Sequence, residues 1–143
     1  MKKFVFSLEK VLDFKKQMLD VKKNELATMM MQLHEIEQKI EELNHDFAVS
    51  NQKMIFEMQQ GLTPKDIEIY KDYFNSVNQN IKKLTLQKMQ QLNLIELKKQ
   101  EIVELNSDIS GLEKLKDKQL QLYFKAAQKA EELAIEEFVS QGH

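Results

Sequence analysis

The side chains that could do chemistry are few and badly placed for it. His34 and His45 fall eleven residues apart. On a helix that spacing gives roughly the same face but a separation of about three turns, too far for both to ligate one metal ion. Both read as solvated histidines, and His143 stands at the end of the sequence. There is no cysteine, so a thiolate metal site and a disulfide framework are excluded. Glu41-Glu42, Glu131-Glu132 and Glu136-Glu137 are neighbours in sequence, and neighbours on a helix point in different directions. They are solvated faces, not acid/base pairs. No glycine-rich phosphate loop, Ser-His-Asp set or dinucleotide fingerprint occurs. All 21 residues of the Lys+Arg class are lysine, so the planar fork that grips phosphates and carboxylates is missing. With a net charge of -2, this argues against a nucleotidase and against nucleic-acid binding. No catalytic residue, metal, cofactor or small-molecule substrate is expected, and the chain does not read as an enzyme.

The elements that hold these residues are written in the hydrophobic spacing. Three glycines and one proline in 143 residues leave little sequence for loops. Apolar residues recur at steps of three and four with one interruption, Gln59-Gln60-Gly61-Leu62-Thr63-Pro64. The pattern predicts one all-α coiled-coil domain over 1–143, with helices over 4–58 and 64–140 and a turn over 59–63. In the first helix Leu12, Leu19, Leu26, Leu33, Ile40, Phe47 and Met54 occupy heptad position a. Lys15, Lys22, Met29, Ile36, Leu43 and Ser50 occupy position d. The second seam runs from Ile67, Tyr70, Phe74 and Val77 through Lys88, Gln91, Ile95, Lys98, Ile109 and Lys116 to Leu133. Thr63 is the expected N-cap, Pro64 fits N1, Asp66 falls at N3, and Gly61 can take the positive φ that closes the first helix.

Folding the two helices about Gly61 into an antiparallel hairpin makes facing residue numbers sum to about 121. Phe47 then meets Phe74, Leu43 meets Val77, Leu26 meets Ile95, Leu12 meets Ile109 and Leu8 meets Leu112. The same register sets Met29 against Gln91 and Lys22 against Lys98. Two lysines in one layer repel and must turn outward, and polar seam residues trade stability for a fixed register. Gly111, inside the second helix, should cost about 1 kcal/mol against alanine.

The arms are unequal, roughly 80 and 115 Å at the usual helical rise. From about Leu120 the second helix is expected to have no intramolecular partner, leaving a C-terminal overhang that carries Tyr123, Phe124, Ala127, Leu133, Ile135 and Phe138. Val11, Phe14, Met18 and Val21 widen the apolar face at the other terminus. Surplus apolar surface of this kind marks an interaction site. Met30, Met31, Phe56 and Tyr73 are also unexplained by the seam. Glu9, Lys10 and Asp13 end the first apolar run too early for a signal peptide, and no stretch approaches the ~20 apolar residues of a membrane span. A cytoplasmic location is expected.

Phe4-Val5-Phe6-Ser7-Leu8-Glu9-Lys10-Val11-Leu12 resembles the F-x-F-x-L-x-x-V-L opening of the flagellar export protein FliJ family. Leu112-Glu113-Lys114-Leu115-Lys116 resembles its late L-E-K-L-K element, and Tyr70, Tyr73 and Phe74 after a single glycine turn match its layout. The resemblance spans essentially the whole chain. It implies an antiparallel two-helix stalk, without chemistry of its own, that inserts into the ring of the flagellar type III export ATPase and promotes its assembly. It further implies contacts with the export gate and with export chaperones at the cytoplasmic face of the inner membrane, in the service of motility and chemotaxis. Carried over by position, the ATPase-ring contact falls on Leu8, Val11, Leu12, Tyr123, Phe124 and Ala127. The export-gate contact falls on Leu43, Tyr73, Val77 and Leu84, with Asn80 where the family can carry alanine. The sequence leaves two alternatives: the stalk of a virulence-type secretion system, or a dimerising coiled-coil tether.

Overall fold

The computed structural model describes residues 2–142. They form two helices, α1 over Glu9–Gln60 and α2 over Pro64–Gln141, and no strand occurs among the described residues. The helices pack against each other as an all-α hairpin. His143 lies outside the described residues.

Three residues make the turn between the helices. Gly61 sits at φ 96°, a conformation that a Cβ would strain, and its N–H reaches the Met58 carbonyl at 3.3 Å. Thr63 and Asp66 then cap α2 reciprocally. The Asp66 N–H donates to Thr63 Oγ1 at 3.2 Å, and the Thr63 N–H donates to Asp66 Oδ2 at 3.4 Å. This is a capping box with aspartate in the place of the usual glutamate, and it satisfies donors that the first helical turn leaves open.

The opening of the chain departs from expectation. Residues 2–6 have no regular structure and α1 starts at Glu9, not at Phe4. The reason lies in periodicity. Phe6 is buried, Phe4 is half-buried and Val5 is 79% exposed. In an extended chain residues i and i+2 share a face, whereas on a helix they diverge by about 200°. Only the extended path lets both phenylalanines pack on the same neighbours. The turn closes with a hydrogen bond from the Glu9 N–H to the Phe6 carbonyl at 3.1 Å, and the first helical bond runs from Leu12 to Leu8 at 2.9 Å.

The contacts sort the chain into two compact units. One holds the residues up to Lys23 and those from Gln100 onward; the other is Asn24–Lys99. The first has the clearest core. Phe6, Leu12, Leu105 and Ile109 are buried together, with Phe4, Leu8, Leu19 and Leu112 packed around them. Leu12 is the most enclosed side chain, at 1% exposure. This grouping agrees with the facing of Leu12 to Ile109 and of Leu8 to Leu112. In the second unit Val77 and Ile95 are buried, and the Phe47 and Phe74 rings meet at 4.7 Å.

The polar seam is resolved differently from expectation. Lys22 and Lys98 do not simply turn outward. Lys22 reaches Glu101 at 3.0 Å and Lys98 reaches Glu25 at 2.6 Å, each within its own unit. Lys15 pairs with Asp108 at 3.1 Å, Lys88 with Glu37 at 4.0 Å, and Lys116 with Glu9 at 2.8 Å. Every seam lysine thus meets a carboxylate on the opposite helix, which sequence facing alone did not show. Gln91 also leaves no idle donor. Its Nε2 donates to the Met29 carbonyl at 2.9 Å and to Gln32 Oε1 at 3.1 Å.

Candidate functional site

The first candidate surface lies in the unit that holds both chain ends. Among its six residues the structure separates core from surface. Leu12 is wholly enclosed, and Leu8, Tyr123 and Ala127 are half-buried. Val11 is 42% and Phe124 60% exposed. The alternation follows from helix geometry, since residues adjacent in sequence point about 100° apart. Leu12 inward therefore sets Val11 outward, and Tyr123 inward sets Phe124 outward.

Tyr123 is fixed by the opening segment. Its hydroxyl donates to the Lys2 carbonyl at 2.6 Å, and its ring lies 5.6 Å from that of Phe4. Phe124 in turn stands edge-on to Tyr123 at 5.8 Å. This corrects the expected start of the overhang. An extended residue advances ~3.3 Å against ~1.5 Å in a helix, so residues 2–8 cover more of α2 than a helix of the same length could. Partial burial continues to Ala127, and every described residue after it is exposed. The uncovered end of α2 begins at Gln128 and not at Leu120. It carries Leu133, Ile135, Phe138 and Val139, all more than half exposed.

The part played by Lys2 and Phe6 was missed in the sequence. The signal was present as the alternation Phe4-Val5-Phe6, a period of two where the neighbouring helix has steps of three and four.

The second candidate surface belongs to Asn24–Lys99. Val77 is buried, Leu43 and Leu84 are half-buried, and Tyr73 is 38% exposed. Leu43 and Leu84 line a shallow groove of about 440 Å³ with Lys39, Asp46, Asn80 and Lys83. Asn80 therefore joins the two leucines at one site. Tyr73, seven residues before Asn80, is outside the groove and packs edge-on against Phe74 at 5.6 Å. Phe74 is the hub of the aromatic cluster, in contact also with Phe47 and Tyr70. Phe56 stays 62% exposed.

Tyr70 closes this cluster toward the turn. Its hydroxyl donates to Glu57 Oε2 at 2.5 Å. That hydrogen bond, aided by partial desolvation and by the charges of Glu57 and Asp66, pushes the phenol from its usual 10.0 up to about 12. The bond is a clamp between the end of α1 and the start of α2, and no proton transfer near neutral pH follows from it.

Nothing in either surface converges on a reacting centre. His34 is exposed beside Met30, Met31 and Glu35, and His45 beside Glu41, Glu42 and Asp46. Among the described residues no helix is long and apolar enough to cross a membrane. Both surfaces are apolar patches framed by charge, the composition of protein contacts.

Comparison with known proteins finds relatives over the whole chain. The family described as flagellar FliJ protein matches residues 4–143. A flagellar FliJ protein of Bacillus subtilis (strain 168) is 24% identical over 149 aligned residues, which cover 98% of this chain and 99% of that relative. No solved structure matches the chain. The chain belongs to the flagellar FliJ protein family.

Proposed function

We propose that this flagellar protein is a non-catalytic component of protein export, a stalk-like adaptor whose two candidate surfaces serve different partners. The surface at the chain ends enters the ring of the export ATPase and promotes its assembly. The surface around Leu43, Tyr73, Val77 and Leu84 meets the export gate, and export chaperones dock on the same molecule. Such a protein works at the cytoplasmic face of the inner membrane without crossing it.

One observation carries the reading. α2 continues beyond Ala127 with Leu133, Ile135, Phe138 and Val139 uncovered, beside the outward-facing Phe124. A helix with an unpaired apolar stripe gains by burying it in another protein. In this scheme Val11 and Phe124 make the contact. Leu12 and Tyr123 hold them in place, since burial leaves them little surface to offer. Val77 likewise supports Tyr73 and Leu84 from beneath. The whole-chain family match favours the flagellar reading over a virulence-type stalk, and a hairpin that packs on itself favours a self-contained adaptor over a full-length dimerising tether.

The test is co-elution of the purified chain with the cognate export ATPase. The wild-type chain should bind at micromolar concentration, and Val11→Asp with Phe124→Asp should weaken binding at least about tenfold while helicity is unchanged. A wild-type chain that fails to bind would overturn the reading.

A further inference from the structure

One cluster of soft metal-binding side chains is used by neither candidate surface. Met30, Met31 and His34 line a shallow hollow of about 360 Å³ on α1, together with Glu35. Helix geometry brings the three together. Met30 stands four residues and Met31 three residues before His34, and both steps bring side chains to the same patch of a helix. One turn further along, the direction of His34 falls between those of the two methionines. Met30 is 49% and Met31 68% exposed, and His34 is exposed as well. Met29, by contrast, is half-buried at the seam. The hairpin therefore does not need the Met30 and Met31 side chains for its packing, and their unbranched stems carry sulfur on freely rotating bonds. His34 is too far from His45 to share an ion with it, but its soft neighbours are within one turn. His45 has no methionine within four residues on either side.

We propose that Met30, Met31 and His34 form a binding site for a soft monovalent ion, Cu(I). Thioether sulfur is a soft donor that selects Cu(I), and imidazole suits copper as well. Two sulfurs and one nitrogen make the low-coordinate set of neutral donors that this ion accepts. The same set does not suit zinc, which takes four ligands and does not use thioethers. Glu35 is the hard member of the group. It follows Met31 by four residues, so its carboxylate supplies negative charge beside the cation and not a bond to it. All three donors come from one helix, so the site forms with α1 and needs no second chain. Their exposure lets the ion enter without opening the hairpin. Exposure and flexible stems also limit the affinity, to a Kd on the order of 10 µM. None of the three residues belongs to either candidate partner surface, and binding of the ion does not depend on the proposed export role.

The experiment is a titration of the full chain, labelled at its methionine methyl groups, followed by NMR in chloride-free buffer. The probe is Ag(I), an air-stable ion of the same charge and softness. It should shift the methyl signals of Met30 and Met31 and the ring signals of His34, with one ion per chain, while those of Met18, Met54 and Met89 stay in place. Cu(I), kept reduced under argon, should give the same pattern. Met30→Leu, Met31→Leu and His34→Gln should each weaken binding at least about tenfold, and His45→Gln should leave it unchanged. All four replace exposed residues with good helix formers, and circular dichroism checks that the helix is retained. Wild-type signals that stay unmoved at Met30, Met31 and His34 up to about 1 mM Ag(I), or in Cu(I), would overturn the proposal. So would a His45→Gln variant that binds as weakly as His34→Gln, a variant lacking both Met30 and Met31 that binds like wild type, or Zn(II) bound there as tightly as Ag(I).

Discussion

The Tyr123 hydroxyl holds the Lys2 carbonyl at 2.6 Å, and the ring behind it holds Phe4. One residue late in α2 thereby fastens the opening segment at its far end, while Phe6 is buried with Leu12, Leu105 and Ile109 nearer the helix start. Removing the hydroxyl separates the two anchorages. Tyr123→Phe should lower stability by about 0.5–1 kcal/mol and should speed hydrogen exchange in residues 2–5 without affecting Leu12. Phe6→Ala should cost more, about 3 kcal/mol, because it empties a core position. Equal exchange rates in wild type and Tyr123→Phe would show that the hydroxyl does not restrain the segment.

The two internal glycines should respond in opposite directions to alanine. Gly61 has φ 96°, so Gly61→Ala strains the turn and should cost about 1–2 kcal/mol. Gly111 has no positive φ, and a Cβ there would meet open space. Gly111→Ala should therefore stabilise the chain by about 1 kcal/mol through helix propensity. Thermal unfolding followed by circular dichroism reads both signs, and a destabilised Gly111→Ala would point to a bending role at that position.

Lys98 is the most enclosed of the paired lysines, with its side chain 15% exposed. Its partner Glu25 stays well exposed and can return to water. Lys98→Met should therefore be neutral or stabilising, by up to about 1 kcal/mol, since an apolar residue of similar length needs no desolvated charge. Urea denaturation of the variant measures this. A loss above about 2 kcal/mol would mean that the pair contributes more than ion pairs of this kind do.

Tyr70 predicts a pH dependence with a definite sign. Its folded-state pKa is raised, from 10.0 to about 12, chiefly by the hydrogen bond to Glu57. The protonated phenol is the form that the fold favours. Its contribution to stability is fully present below pH 10 and is lost as pH rises toward about 12. Difference spectra between wild type and Tyr70→Phe should show a tyrosinate that forms near pH 12 instead of the usual 10.0. Stability of wild type should fall toward that of Tyr70→Phe over the same interval. A Tyr70 that ionises near the usual 10.0 would remove the clamp to Glu57.

Much of the hairpin was legible in the residues. The heptads placed Leu12, Phe47, Phe74 and Ile109 on the packed faces, and Gly61, Thr63 and Asp66 specified the turn down to its capping bonds. Those signals are local, and each has one structural solution. Two things were not legible. Phe4-Val5-Phe6 precedes a long helix without any breaker, and its alternation spans only three residues, too few to outweigh the helical period beside it. The seam lysines faced one another in a one-dimensional register because seam facing ignores the flanking positions, where Glu25, Glu101 and Asp108 wait. The candidate contact residues were located but not sorted. Leu12 and Val77 proved to be core, because a family position marks a place on a helix and not the direction in which a side chain points.

The lysine–carboxylate pairs also act together as an error check. Slide one helix by a heptad in one direction and Lys116 confronts Lys16, while only Lys22 recovers an acid, at Asp108. Slide it the other way and only Lys15 does, at Glu101, while Lys22 is left against Leu94 and Lys98 against Met18. Leucine-rich seams tolerate such slips with little penalty, since one leucine replaces another. Here four of the five cations lose their acid in either direction. The weakest bonds in the hairpin therefore proofread its alignment, and a contact such as Tyr123 with Lys2 and Phe4 joins two distant stretches of chain only when that proofreading succeeds.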